Sequence, residues 1–445
     1  MSSISTDGWD MIASATQGAL NDVLEQYFDT HPITFDREIQ VGSTKMSVGV
    51  DCMIGPIQLN ALKQGLTIMD VKFPIETGTF TYPVRNSQPL DGMSVIVEIA
   101  LTYVQSELQP TGDGTNYDFI LDFTNPDAFQ KVKLENLPAW LESNPMMVAM
   151  VELAMVYALA QWAAANPKVT ICTVTLGAAS SEYPALVPSQ AFYSFNLNES
   201  DPDQTPLSIL MLTMSAAEGQ FNTGTNYIPP SCNSSLLVSE NVLLSGILLP
   251  AVAQAFGTST SNFTVSGSKL SLNSPVNVTD ENGTSLEITS FSLDVAGNAL
   301  NISMAATHDF FMGIGMNVTA SGSMAFEVSQ PENGEQTISL VVSDEPTVKL
   351  TPDLPSWLTW ATWIFTLFLP FIGIFVGLAM LIYEGIIFAL GAAANQKVSS
   401  SFVGYSLKQV AWANTQWLEI ESIDLPGGVQ VGANLAPNLT TSTSE

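Results

Sequence analysis

Few residues in this chain are placed for chemistry. The two histidines are His31, in the turn "THPITF", and His308, in "THDFF". His308 and Asp309 are neighbours and could move a proton, but adjacency along a chain does not make an acid–base pair in space. Neither histidine has a Cys or His at metal-ligand spacing. Cys52, Cys172 and Cys232 are odd in number and far apart, so neither a disulfide framework nor a zinc site follows. "NESDPDQT" (198–205) clusters three acids without the order of a calcium loop and reads as solvated loop. A phosphate loop and a G-x-S-x-G elbow are both missing. "GIGMNV" (313–318) has two of the three dinucleotide glycines and lies among strand signals. The expectation is a protein without catalysis, metal or cofactor.

What the chain has in quantity is apolar surface and negative charge. It is 46% hydrophobic and only 12% charged, with 42 acids against 12 bases and a net charge of -30. Such a balance excludes nucleic acid as a partner. It also removes any standing attraction to anionic membranes at neutral pH. No basic n-region and apolar h-region open the chain. The expected location is cytoplasmic, or outside the cell by a non-classical route.

The elements follow from periodicity. Trp9, Ile12, Ala13, Leu20, Val23, Leu24 and Tyr27 fall at helical spacing and predict one amphipathic helix over Thr6–Phe28, capped by Thr6 or Asp7. Strands follow, among them 66–82, 118–123 and the alternating run Val95, Val97, Ile99, Leu101. A second helix, 145–166, is apolar on nearly every face. More strands precede a polar stretch, "EGQFNTGTNYIPPSCN" (218–233). Then the order repeats: a helix over 239–256 with Ser239 as N-cap, strands over 262–350, and a long apolar rod. "SFVGYSL" and "WLEIESIDL" close the chain as strands.

The rod, about 355–395, contains no Lys, Arg, Asp, Glu or His from Leu354 to Tyr383. Its length allows a membrane span. Leu137-Pro138-Ala139-Trp140-Leu141 precedes the helix at 145, and Leu354-Pro355-Ser356-Trp357-Leu358 precedes the rod. That pairing argues for two tandem modules, 1–218 and 236–445, joined by a linker at 219–235. Each module would then wrap a twisted sheet around its own apolar helix. Ser356, Thr359, Thr362, Thr366, Pro370, Gly373, Gly377 and Glu384 form a small or weakly polar stripe on the rod. Close packing against a sheet is the favoured reading of that stripe. A lumen or a partner helix is the other.

Gly8-Trp9-Asp10 and "NSSLLVSENVLLSGILLPAV" (233–252), together with the length and order of the chain, resemble the family of forty-seven-kilodalton and orf-X proteins encoded beside some clostridial neurotoxin genes. That family has the tubular lipid-binding (TULIP) fold. The resemblance implies an α+β protein of two TULIP-like modules, each a long twisted antiparallel sheet around long apolar helices. It implies a non-catalytic protein that binds lipid or another apolar ligand and serves as an accessory to a bacterial toxin, with a protein toxin or a sibling TULIP protein as a further partner. The side chains expected at lipid are Met146, Met150, Trp357, Trp360, Phe365, Phe368, Phe371 and Phe375. The alternative is a membrane-inserting or pore-forming component using 357–390, with membrane contact favoured at acid pH.

Overall fold

The computed structural model describes residues 4–41, 46–60, 68–82, 86–106, 114–124, 132–177, 182–214, 218–221, 226–279, 285–310, 314–329, 336–353, 362–391, 396–397, 401–413 and 415–437.

The expected first helix is a strand followed by a helix. Met11–Thr16 is a strand buried along its whole length, and the helix runs only from Gln17 to Thr30. Its cap is Thr16, whose Oγ1 accepts from the Ala19 N–H at 3.2 Å, rather than Thr6 or Asp7. A strand covered on both faces shows no period-2 alternation. Its apolar residues ran on into those of the helix and mimicked a single helical stripe.

That strand lies in the middle of the molecule. It pairs antiparallel with Pro206–Leu212 on one side and Ser234–Val238 on the other. The sheet order is Gln190–Phe195, Pro206–Leu212, Met11–Thr16, Ser234–Val238, Val429–Pro437, Thr415–Asp424. The two halves of this sheet mirror each other in role. Each half has an inner strand that leads into a helix, Gln17–Thr30 or Val242–Ala255. Each also has two outer strands reached only after that half's long helix.

Two larger antiparallel sheets flank the central one. The first joins Ile33–Val41, Met46–Ile54, Ile68–Tyr82, Ser94–Gln105, Thr115–Asp122 and Lys168–Leu176 in sequence order. Val410–Trp412 closes its edge, with Cys172 opposite Trp412. The second runs from Phe263–Ser266 through Lys269–Leu272, Ser285–Ala296, Ala299–Asp309 and Gly315–Ser329 to Thr337–Asp353. Val95, Val97, Ile99 and Leu101 turn inward, as their alternation predicts.

The helix at Pro145–Ala165 begins where Asn144 accepts from the Met147 N–H at 3.3 Å. It buries Met147, Val151, Ala154, Met155, Ala158 and Leu159, and packs against Ile33–Val41 and Met46–Ile54. "SFVGYSL" is a correction: Phe402–Leu407 is a short helix. Ser401 caps it by accepting from Gly404 N at 3.2 Å, and Phe402 and Val403 are fully buried. Capping and burial override the strand preference of Phe, Val and Tyr there. The second Leu-Pro-x-Trp-Leu copy falls outside the described residues.

Candidate lipid-contacting surfaces

The long C-terminal helix runs from Thr362 to Ala389, with Pro370 inside it. At 1.5 Å per residue it is about 42 Å long. Its side chains are described from Leu369 on. One face is buried: Phe375, Leu378, Ile382, Tyr383 and Ile386, with Leu390 just beyond the last turn. That face meets the helix Leu249–Ala255 and the strands Ser285–Ala296 and Gly315–Ser329. Gly385 lies at the helix contact, where even a Cβ would be in ordinary van der Waals contact with Ala251 and Ala255. Phe371 is half-buried and stacks on His308, with ring centroids 4.0 Å apart, while Phe310 meets it edge-on at 4.9 Å.

The opposite face is open. Leu369, Val376, Met380 and Leu381 are exposed, and Phe388 is 84% exposed. Gly373 and Gly377 lie among them, and a Cβ at either would meet nothing within 4 Å. Glu384 is the one charge on this face. Two expectations are corrected here. The rod is not wrapped on all sides, because only 22% of the most apolar 18-residue window within Leu369–Ala389 is buried. The small-residue stripe at Pro370, Gly373, Gly377 and Glu384 does not pack against a sheet; it points outward.

The other expected lipid contacts divide. Phe375 is fully buried and Met150 nearly so, whereas Met146 is 68% exposed. Phe365 and Phe368 fall within the helix, but their side chains lie outside the described residues, as do Trp357 and Trp360 entirely. Phe371 and Phe375 share the one helix; Met146 and Met150 belong to the other half.

The candidate proton-transfer pair does other work. His308 is packed between Phe310 and Phe371, and burial lowers its pKa, against the opposing pull of the Ser285 backbone and Asp309. The three cysteines are free and buried. Burial, with Asp51 adding to it, pushes the Cys52 thiol up to about 12, the reverse of what a nucleophilic thiolate needs.

Sequence reasoning missed one feature. A cavity of about 560 Å³ opens where the helices ending at Thr30 and Ala165 meet the strands beginning at Ile33 and Lys168. Its residues come from two helix-to-strand junctions far apart in the chain, with Ala413 from the C-terminal part, and no local pattern announces their meeting.

Large antiparallel sheets packed on apolar helices, two such halves joined through a shared central sheet, and an open apolar helix face define an α+β protein. The chain belongs to the OrfX-like family: residues 6–378 match the family described as Protein OrfX2/OrfX3/P47. Two solved structures are similar over nearly the whole length. P47 from Clostridium botulinum A2 has a TM-score of 0.61 at 16% identity, covering 97% of this chain and 98% of that one. P47 of Clostridium botulinum E1 has a TM-score of 0.60 at 15% identity, covering 96% and 99%. Among curated protein sequences none matches.

Proposed function

We propose that this protein is a non-catalytic lipid-contacting member of its family, acting as an accessory component of a bacterial toxin system. The observation that carries the lipid reading is the open face of the C-terminal helix. From Leu369 to Phe388 it extends about 29 Å. Covering five large apolar side chains, each already partly buried, is worth on the order of 5 kcal/mol before association costs. A second copy is disfavoured as the cover, because each chain carries a net charge of -30. A zwitterionic lipid surface meets no such repulsion. The accessory role is supported by the family, which includes P47 proteins of Clostridium botulinum.

Co-flotation with phosphatidylcholine vesicles tests this. The wild-type chain is expected to float, and Phe388→Lys and Leu381→Lys to stay behind while melting as the wild type does. A wild-type chain that remains in the lipid-free fraction defeats the reading. A second reading, insertion of this helix, is favoured by the 21 residues of Leu369–Ala389 and the mean hydropathy of 2.2 in their most apolar 18-residue window. Release of a trapped dye from the same vesicles separates insertion from surface contact.

A further inference from the structure

We propose that the outer face of the large sheet in the C-terminal half carries a binding site for a neutral carbohydrate, an uncharged oligosaccharide recognised through its hydroxyls. The site is built from the strands between Lys269 and Asp353 and shares no residue with the open face of the C-terminal helix.

A strand with one face on a core alternates between apolar and polar residues. Ser285–Ala296 and Ala299–Asp309 keep that alternation. Phe291, Leu293, Leu300, Ile302 and Met304 are buried, while Ser292, Asp294, Asn301 and Ser303 take the positions between them. These polar residues fall into register across the sheet. Ser292 stands opposite Ser303, Ser303 opposite Ser321, and Ser321 opposite Thr347. With neighbouring strands about 4.8 Å apart, the row of hydroxyls is roughly 14 Å long. Beside it runs a second row, Lys269, Asp294, Asn301 and Ser323. The pairing with Thr337–Asp353 is irregular between Ser321 and Ser323, and a bulge bends the strand there. The two rows line a cavity of about 590 Å³, within the range of small-ligand pockets, roughly 300–1,000 Å³.

The chemistry of this lining identifies the ligand class. A hydroxyl offers one donor and two acceptor lone pairs, an amide offers both kinds, and a carboxylate accepts. Bonds within the lining leave capacity over. Ser292 and Ser303 join at 2.8 Å, which uses one O–H and one lone pair and leaves the other O–H and the remaining lone pairs. Asn301 donates from Nδ2 to Ala296 O at 3.0 Å, and Asp294 Oδ1 accepts from Ser268 Oγ at 3.2 Å. The Asn301 amide oxygen and Asp294 Oδ2 face the ligand.

Other ligand classes fit less well. Lys269 and Asp294, the two charges of the lining, stand opposite each other, so neither sign of ligand gains. Glu240 adds negative charge near Asp294, which turns anionic sugars away further. Among the described residues no aromatic ring lines the cavity, so a nucleobase has no stacking partner. Ile302 is the one aliphatic side chain in that lining and is buried, so an acyl tail has no floor. An extended peptide adds to a strand edge, whereas these groups stand on a sheet face. A neutral sugar carries hydroxyls that donate and accept around its ring, and it meets no repulsion from a chain of net charge -30.

The test is calorimetric titration of the full chain with lactose, maltotriose and triacetylchitotriose as neutral sugars. Sialyllactose is the anionic comparison and the glucosamine trimer the cationic one. At least one neutral sugar is expected to bind, one molecule per chain, and neither charged sugar to bind more tightly than it. Ser303→Arg, which fills the centre of the hydroxyl row from an exposed position, should abolish binding while the chain melts as the wild type does. Asp294→Asn, which keeps the shape and removes the charge, should weaken binding about tenfold. Phe388→Lys should leave it unchanged. Absence of binding by all the neutral sugars overturns the proposal. So does tighter binding of a charged sugar, indifference to Ser303→Arg or to Asp294→Asn, or loss in Phe388→Lys, which would place the sugar on the C-terminal helix instead. Vesicle flotation and this titration can fail independently.

Discussion

Glu240 follows Ser239, whose hydroxyl accepts from Val242 N at 3.2 Å and starts the helix, the role its sequence position predicts. The Glu240 Oε1 is buried with no hydrogen-bond partner among the described residues. Burial first, and Asp294 second, raise its pKa above the ordinary value of 4.5. A carboxyl raised in the folded state contributes stability below its unfolded pKa and loses it as pH rises through the folded value. At neutral pH the charged form is therefore a liability. Glu240→Gln is expected to raise the melting temperature by about 1–2 °C at pH 7.5 and to leave it unchanged at pH 4. A lower melting temperature at pH 7.5 would mean that the carboxylate has an attractive partner. His308 shows why single residues were hard to read. Its neighbour Asp309 was visible in the sequence, but its main contact, Phe371, is 63 positions away. Packing between distant elements decided its role.

At the scale of elements, long helices with strong patterns were legible and junctions were not. Pro145–Ala165 stands where its apolar run places it. Met11–Thr16 was hidden because burial on both faces erases the strand period. Of the small-residue stripe, Pro370, Gly373, Gly377 and Glu384 do share one side of the C-terminal helix, and the side chains of its other members lie outside the described residues; composition alone did not say which side faced the protein. The glycines now distinguish the two. An exposed helical glycine costs roughly 0.5–1 kcal/mol relative to alanine. Gly373→Ala and Gly377→Ala are each expected to stabilise the fold by about that amount in chemical denaturation. Gly428→Ala should do the reverse, because its Cβ would clash with the Val238 carbonyl oxygen. Destabilisation by both helix substitutions would mean that something packs on that face in solution.

At the scale of the whole molecule, the repeated order of helix and strands was legible, and the central sheet was not. Its strands come from both ends of each half, and pairing partners such as Ala13 and Leu236 share no local signal. Net charge needs no fold to be read, and it governs the last expectation. At pH 7 a charge of -30 holds the chain away from anionic lipid even though an apolar helix face is open. Carboxylates in general titrate near pH 4, so most of that repulsion fades between roughly pH 6 and 4. His308 adds to this. Its folded pKa lies below the ordinary 6.5. The unfolded state therefore binds more protons in that window, and stability falls as pH drops through it. The contact weakened is the stack that holds Phe371, and with it the C-terminal helix, to the sheet. Vesicles containing phosphatidylserine are expected to bind the chain at pH 4.5–5 and not at pH 7.5, while phosphatidylcholine vesicles bind at both. Phe388→Lys should lose both. The calculated isoelectric point is about 4.1, so a lipid-free sample must stay soluble at each pH. Equal sedimentation with anionic vesicles at pH 7.5 and pH 4.5 would show that charge does not gate the helix face. Binding at neither pH, with phosphatidylcholine binding intact, would show that the acid window does not lift the repulsion.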